Sequence, residues 1–167
     1  HCLNDSGAQL SAELRPEQVL ALVKDLAIFG AHEIRFTGGE PTISPVLIDA
    51  LKTAAGYGTR TSIGTNAVSI TNDKARDLVV AGLNSAIVSI DGDQRSHDAI
   101  RGTDAYRRAW RGIRALVDSG INVRVNAVAM RTTLSGLFML ADSCEQAGVT
   151  LYIRRFIPSG RVIGQVQ

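Results

Sequence analysis

The sequence has little of several features that mark whole classes of protein. Its two cysteines, Cys2 and Cys144, are far apart and too few for a disulfide framework, which predicts a reducing, cytoplasmic location. A formal net charge of +2 gives no indication of a nucleic-acid partner. Its apolar runs fall well short of the roughly 20 residues needed to cross a bilayer, so no membrane association is expected.

Two sequence patterns are also missing. The three histidines, His1, His32 and His97, lack the paired spacing of a metal-dependent hydrolase. The pattern G-x-G-x-x-G, which a dinucleotide-binding sheet requires after its first strand, does not occur. There is no initiator methionine either, because the chain opens with His1-Cys2. We therefore expect residues 1–167 to be one domain, cut from a longer protein and truncated at both ends.

Glycines divide the rest of the sequence into repeated units. Each closes a helix-like stretch, and a β-rich run follows within a few residues. The glycines are Gly30, Gly58, Gly82, Gly120 and Gly148. The β-rich runs are Glu33–Thr37, Arg60–Gly64, Ser85–Ile90, Asn122–Val128 and Val149–Arg154. Alternation of helix and strand at intervals of roughly 25–40 residues predicts parallel strands joined by right-handed crossovers.

The fold class predicted from this order is α/β with a parallel sheet. The first helix, which begins at Pro16, has no strand before it, so a preceding strand is expected to be missing. Because the dinucleotide pattern is absent, a curved, barrel-like sheet is favoured over an open one. The dipeptide Ser44-Pro45 predicts a helix start, with Ser44 as the N-cap and Pro45 in the first turn.

Polar residues follow the strand-like runs at the ends where ligands bind in parallel α/β folds. They are Gly38, Gly39 and Glu40 after the first run, Thr65 and Asn66 after the second, Ser89 and Asp91 after the third with Arg101 in the following loop, and Asn126 in the fourth. The two glycines let a ligand approach the main chain closely. Glu40 is suited to an ammonium group and Arg101 to a carboxylate, so this rim is suited to a zwitterion.

Each of these residues also has a structural interpretation. Thr65-Asn66 and Asp91-Gly92 are common in turns, and Asn126 is suited to satisfying a buried backbone group. Arg101 begins an arginine-rich stretch of the kind that usually forms a solvated helix face. Cys144 falls on the core stripe of a helix, whereas Cys2 precedes the first helix on the side of the polar rim. Convergence of so many polar groups at one end of the sheet favours a binding site.

Taken in order along essentially the whole chain, these motifs resemble those of the radical S-adenosylmethionine (SAM) superfamily. The segment FTGGEP at residues 36–41 is similar to the family's GGEP segment, and SIGTN at 62–66 to its TNG strand end, with Ala67 in place of the usual glycine. The stretch from Ser89 to Gly102 is similar to the SxDG…HD…RG pattern. His1-Cys2 is similar to the end of the cysteine motif C-x3-C-x2-C.

The resemblance implies a (βα)6 partial TIM-like barrel, without its first strand here, and a [4Fe–4S] cluster and SAM as cofactors. Cys2 would be the third cluster ligand, and the first two ligand cysteines are not in this chain. The resemblance further implies that the segment Gly38-Gly39-Glu40 binds the SAM amino group and that Ser89 and Arg101 hold its carboxylate. The other residues that we assign to the cofactor site are Thr65, Asn66, Asp91 and Asn126.

The implied reaction is reductive cleavage of SAM to methionine and a 5′-deoxyadenosyl radical, which abstracts a hydrogen atom from the substrate. The motifs look most like those of the SPASM-type peptide and protein maturases. That similarity implies a peptide or protein substrate and an electron donor such as flavodoxin or ferredoxin. Without upstream cysteines, the chain alone is expected to be inactive. Two alternatives stay open, the GTP cyclase of molybdenum-cofactor synthesis and a non-catalytic SAM-binding module without a cluster.

Overall fold

The computed structural model describes residues 13–157, and within them the chain alternates between helices and strands. The strands are β1 (Glu33–Phe36), β2 (Arg60–Thr65), β3 (Ser85–Ser89), β4 (Asn122–Ala129) and β5 (Thr150–Arg155). The helices are α1 (Pro16–Ile28), α2 (Leu47–Gly56), α3 (Asn72–Val80), α4 (Gln94–Arg101), α5 (Ala105–Asp118) and α6 (Leu137–Gln146). Short 3-10 turns occupy Pro41–Ile43 and Leu134–Gly136.

The strands form one parallel sheet in the order β1-β2-β3-β4-β5, so each strand pairs with the next one along the chain. A doubly wound sheet reverses its order at a switch point, whereas this order never reverses. Right-handed crossovers that always advance in one direction place the helices that connect successive strands on the same face of the sheet. This arrangement confirms the predicted α/β class and the partial TIM-like barrel.

The two faces of the sheet differ in burial. On β4, Val123, Val125 and Ala127 are buried against the helices, whereas Arg124 is exposed on the opposite face. We call that opposite face, which lies away from the helices, the inner face of the sheet. The fully buried side chains between the sheet and the helices include Leu51, Ile63, Leu78, Val88, Ile113 and Leu116. Cys144 is also buried there, which confirms its predicted position in the core.

Helix α5 approaches the loop after β2 unusually closely. A Cβ atom on Gly112 would overlap the carbonyl oxygen of Ala67 and lie 3.0 Å from its Cβ. Ala67 itself has φ of 56°, in the left-handed region that favours glycine, and it is completely buried. A small residue on the helix is therefore required where the loop carries alanine, and this contact fixes α5 against the loop that follows β2.

Two local predictions were wrong. The segment after Asp91 is not a loop, because Asp93 accepts a hydrogen bond from the Ser96 amide and starts helix α4. Helix α2 starts at Leu47, since Ser44 instead ends the 3-10 turn with its amide bonded to the Pro41 carbonyl. The helices between residues 13 and 157 include none that is long and apolar enough to span a membrane.

Candidate functional site

The turn after β1 exposes bare main chain at the carboxyl end of the sheet. Gly38 and Gly39 are exposed, and Gly38 has φ of 138°, which side chains rarely tolerate. Pro41 then begins the 3-10 turn, which fixes the direction of the chain as it leaves the glycines. The peptide groups of the two glycines are therefore accessible to a ligand from the rim.

The carboxylate of Glu40 ties this turn to the end of β2. Its Oε1 accepts hydrogen bonds from the Thr65 hydroxyl at 2.6 Å and from the Thr42 hydroxyl at 2.6 Å and amide at 3.2 Å. Its Oε2 accepts one from the Asn66 amide at 2.7 Å. Thr42 is not among the residues predicted from the sequence, although its position two residues after an acid is typical of such local hydrogen bonding. Glu40, Thr65 and Asn66 are thus brought together, as the motif positions predict.

A second charged group, Arg101, is held by a buried acid at the end of β3. Its Nε donates to Oδ2 of Asp91 at 2.7 Å, and the Arg101 side chain is 26% exposed whereas that of Asp91 is 0% exposed. The other carboxylate oxygen of Asp91 accepts from the Val128 amide at 3.3 Å and so links β3 to β4. A carboxylate buried this completely holds Arg101 in place, which changes the role we expect for Asp91 from ligand binding to positioning.

His97 lies behind this ion pair and is 1% exposed. Its Nδ1 accepts a hydrogen bond from the backbone amide of Asp91 at 3.1 Å, while the buried Nε2 has no hydrogen-bond partner among residues 13–157. The ring of Tyr106 packs edge-on against it, with the centroids 5.8 Å apart. Burial, together with the nearby charge of Arg101, lowers the pKa of His97 to about 4, so the ring is neutral at physiological pH.

We expect His97 to make the fold sensitive to acid. Its folded-state pKa lies below the unfolded value of 6.5, so the unfolded chain binds the extra proton between about pH 6.5 and 4. The free energy of unfolding should therefore fall as the pH is lowered through this window. Urea unfolding of the His97→Asn variant should lose that part of the pH dependence, whereas His32→Asn, at an exposed position, should keep it. Parallel curves for wild type and His97→Asn would contradict this assignment.

Ser89 and Asn126 are neighbours in register on the inner face at the same end of the sheet. The hydroxyl of Ser89 is half-buried and makes no hydrogen bond within residues 13–157. Asn126 is also half-buried, and its Oδ1 accepts a hydrogen bond from Nε of Arg154 at 3.0 Å. Arg154 is not among the site residues predicted from the sequence, although its spacing of two residues from Tyr152 on β5 places both residues on this face.

Cys2, the expected cluster ligand, lies outside the described residues. Within residues 13–157, no three His, Cys, Asp or Glu side chains are grouped closely enough to hold a metal ion. Cys144 is no substitute, because burial raises the pKa of its thiol to about 11 and keeps it protonated. The described part of the chain therefore supplies the polar rim of the site but no metal-binding set.

Comparison with known proteins identifies relatives that catalyse different reactions. The chain is 31% identical over 163 residues to the mycofactocin maturase MftC of Mycobacterium tuberculosis, which covers 96% of this chain and 42% of that protein. It is 30% identical to the AdoMet-dependent heme synthase of Nitratidesulfovibrio vulgaris, covering 98% of this chain and 46% of the relative. It is 37% identical to the GTP 3′,8-cyclase of Rhodococcus opacus, covering 86% of this chain and 41% of the relative. The chain thus spans less than half the length of these curated relatives.

The fold has close matches among solved structures. SuiB of Streptococcus suis, crystallised with its precursor peptide SuiA, aligns with a TM-score of 0.77 at 17% identity over 93% of this chain and 36% of SuiB. At that identity the match concerns the fold alone. The sequence profile of the radical SAM superfamily matches residues 1–136. Because this match extends over more than half of the sequence, the chain belongs to the radical SAM superfamily.

Proposed function

We propose that this chain is the SAM-binding core of an enzyme that modifies a peptide or protein side chain by radical chemistry. The observation that carries the proposal is that one rim presents a carboxylate and a guanidinium, each held in place by its own hydrogen bonds. Glu40 is fixed by four hydrogen bonds and Arg101 by a buried carboxylate, so neither group needs to reorganise when a zwitterion binds. The amino-acid end of SAM is such a zwitterion.

The described residues fit that end of SAM in charge and in donor number. Arg101 uses Nε for Asp91, and its two terminal nitrogens make no hydrogen bond within the described residues, which leaves donors for a carboxylate. The half-buried Ser89 hydroxyl is a further donor on the same rim. Oε2 of Glu40 accepts one hydrogen bond where Oε1 accepts three, so Oε2 is the oxygen with room for an ammonium group. The exposed main chain of Gly38 and Gly39 offers carbonyl acceptors beside it.

A [4Fe–4S] cluster and SAM are the cofactors of this superfamily, and when bound they supply its one-electron chemistry. Cys2 is the residue of this chain that would hold the cluster. The part of this chain in the reaction is to bind and orient: Arg101 and Glu40 hold the two ends of a zwitterion, and the carboxylate of Asp91 keeps Arg101 in place. An electron donor such as flavodoxin or ferredoxin belongs to the same proposal.

A peptide or protein substrate is favoured by the similarity to the mycofactocin maturase, which extends over 96% of this chain. SuiB, whose fold is similar, was solved with a precursor peptide. A second candidate is a GTP cyclase activity, because the Rhodococcus relative has the higher identity, 37%. The two candidates share the SAM site and differ in the substrate that the remaining surface accepts.

Binding of SAM to the intact, anaerobically reconstituted protein tests the shared part of the proposal. We expect Arg101→Ala to weaken SAM binding by roughly 10- to 100-fold, since a hydrogen bond to a charged group contributes about 1.5–3 kcal/mol. Glu40→Ala should weaken binding at least as much, because it also frees the turn from the end of β2. Equilibrium dialysis with labelled SAM measures both effects.

The matched control is Arg114→Ala, which removes an exposed arginine of α5 and should leave SAM affinity within about twofold. Unchanged affinity in both Glu40→Ala and Arg101→Ala would refute the placement of the site. Formation of a cyclised nucleotide from GTP by the intact protein would favour the second candidate over the peptide substrate.

A further inference from the structure

The inner face of β4 and β5 carries two arginines that have no acidic partner among the described residues. Arg124 alternates with the buried Val123 and Val125 on β4, and Arg154 lies on the same face of the neighbouring strand, where both are exposed. Neither takes part in an ion pair with any residue between 13 and 157. They are therefore different from Arg101, whose charge is matched by Asp91.

Both guanidinium groups are held by neutral neighbours. The Arg124 guanidinium lies over the ring of Tyr152, 5.9 Å from its centroid, and Arg154 donates from Nε to Oδ1 of Asn126 at 3.0 Å. Asn126 and Tyr152 are partners in register, so the two arginines lie on either side of one cross-strand pair. These contacts orient the guanidinium groups without neutralising them, and the terminal nitrogens remain available as donors.

The acidic residue on the same face lies on β1, at the opposite edge of the sheet. Among the described strand residues of the inner face, only Glu33 carries a negative charge, and it belongs to β1. Its carboxylate accepts from the Ser62 hydroxyl at 2.6 Å and pairs with Arg35 at 3.3 Å. The hydrogen bond from Ser62, helped by the Arg35 charge, lowers the pKa of Glu33, so its charge is already engaged. The β4–β5 half of the face thus has positive charge without a counter-charge.

Arg124 and Arg154 lie close to the candidate SAM site. Asn126 is the register partner of Ser89, the hydroxyl that we place near the SAM carboxylate. Arg154 is two residues beyond Tyr152, the partner of Asn126, toward the carboxyl end of β5. An anionic group bound by Arg154 and Arg124 would therefore lie beside the cofactor, where the reacting part of a substrate must be.

We propose that Arg124 and Arg154 form an anion subsite that binds a carboxylate of the substrate. This proposal rests on the proposed function and deepens it, since it assigns to the peptide substrate an acidic side chain or a free C-terminus close to the reacting position. Arginine is suited to this role because its planar donors match the two oxygens of a carboxylate. Asn126 and Tyr152 set the spacing of the two arginines and leave their charges unpaired.

Peptide binding to the intact protein, measured by fluorescence anisotropy, tests the subsite. The probe is a rhodamine-labelled peptide with three glutamates and an amidated C-terminus, compared with the same peptide carrying three glutamines. We expect the glutamate peptide to bind at least tenfold tighter, and Arg124→Gln or Arg154→Gln to reduce that preference roughly tenfold each. The matched control is Arg155→Gln, because Arg155 is the adjacent exposed arginine on the opposite face of β5 and should leave the preference within about twofold.

Equal binding of the two peptides would overturn the proposal, as would a loss in Arg155→Gln equal to that in Arg154→Gln, which would indicate general surface charge. Displacement of the glutamate probe by GTP at lower concentration than by the unlabelled glutamate peptide would overturn the assignment to a carboxylate in favour of a phosphate. SAM binding is measured on the same samples. A protein that keeps the glutamate preference without binding SAM would support the subsite and refute the proposed function, so the two failures are distinguishable.

Discussion

Replacement of Asp91 by alanine should destabilise the protein by about 3–5 kcal/mol and release Arg101 from the rim, because removal of one partner leaves a partly buried charge uncompensated. Asp91 is completely buried, and its carboxylate is shared between Arg101 on α4 and the Val128 amide on β4. Its loss therefore breaks an ion pair and a link between strands at the same time. Chemical denaturation gives the stability, and equilibrium dialysis gives the accompanying loss of SAM binding.

The control for Asp91→Ala lies two residues away. Asp93 is half-buried and caps helix α4 through the Ser96 amide at 2.8 Å. Asparagine serves as an N-cap about as well as aspartate, so Asp93→Asn should change the free energy of unfolding by no more than about 0.5 kcal/mol. Asp91→Asn should fall between the two, because its amide oxygen can still accept from Val128 while its NH₂ group cannot accept from Arg101. An Asp91→Ala variant as stable as Asp93→Asn would contradict the role assigned to this carboxylate.

Gly112→Ala should destabilise the protein by about 1–3 kcal/mol or more, although alanine has the higher helix propensity. The added Cβ would overlap the carbonyl oxygen of Ala67 and lie close to its Cβ, so α5 would have to move away from the loop after β2. That loop follows Thr65 and Asn66, which bond to Glu40, and so the displacement should also reduce SAM affinity. Urea unfolding and SAM dialysis on one preparation measure both effects.

Gly56→Ala is the matched substitution for comparison. Gly56 is the last residue of α2, and a Cβ there would meet nothing within 4 Å. The same change of residue type should therefore stabilise the protein slightly, by about 0.4–1 kcal/mol, through the reduced entropy of the unfolded chain. If the two variants behaved alike, the close approach of α5 to Ala67 would not be a determinant of stability.

Most of the fold could be predicted from local signals. Glycines after helices and β-branched runs gave the five strands to within a residue or two, for example Asn122–Val128 predicted and Asn122–Ala129 in the structure. Helix α4 was missed because its sequence, QRSHDAIR, is polar and contains only two apolar residues, Ala99 and Ile100. Its signal was the Asp93 cap, a local hydrogen bond that periodicity does not detect.

The sequence predicted which residues lie at this edge of the sheet but not how they contact one another. Motif positions brought Glu40 to Thr65 and Asn66, and Arg101 to Asp91, as the sequence order at one sheet edge indicates. Which of these residues binds a ligand and which positions another side chain depends on burial, and a single sequence does not reveal burial. Asp91 and Glu40 are both acids at strand ends, yet only Asp91 is completely enclosed. The cofactor assignments of Glu40, Arg101 and Cys2 stay predictions.

The unbroken strand order has a consequence for how the chain acquires its structure during synthesis. Because each strand pairs with its predecessor, every βα unit can dock as it emerges from the ribosome, onto an edge that the earlier units have already formed. None of the five strands between residues 13 and 157 has to wait for a distant partner or insert between two others. Each intermediate nevertheless presents an unpaired edge, where an untimely neighbour can bind. Growth in one direction thus makes assembly local, and it makes the newest strand the vulnerable one at each stage.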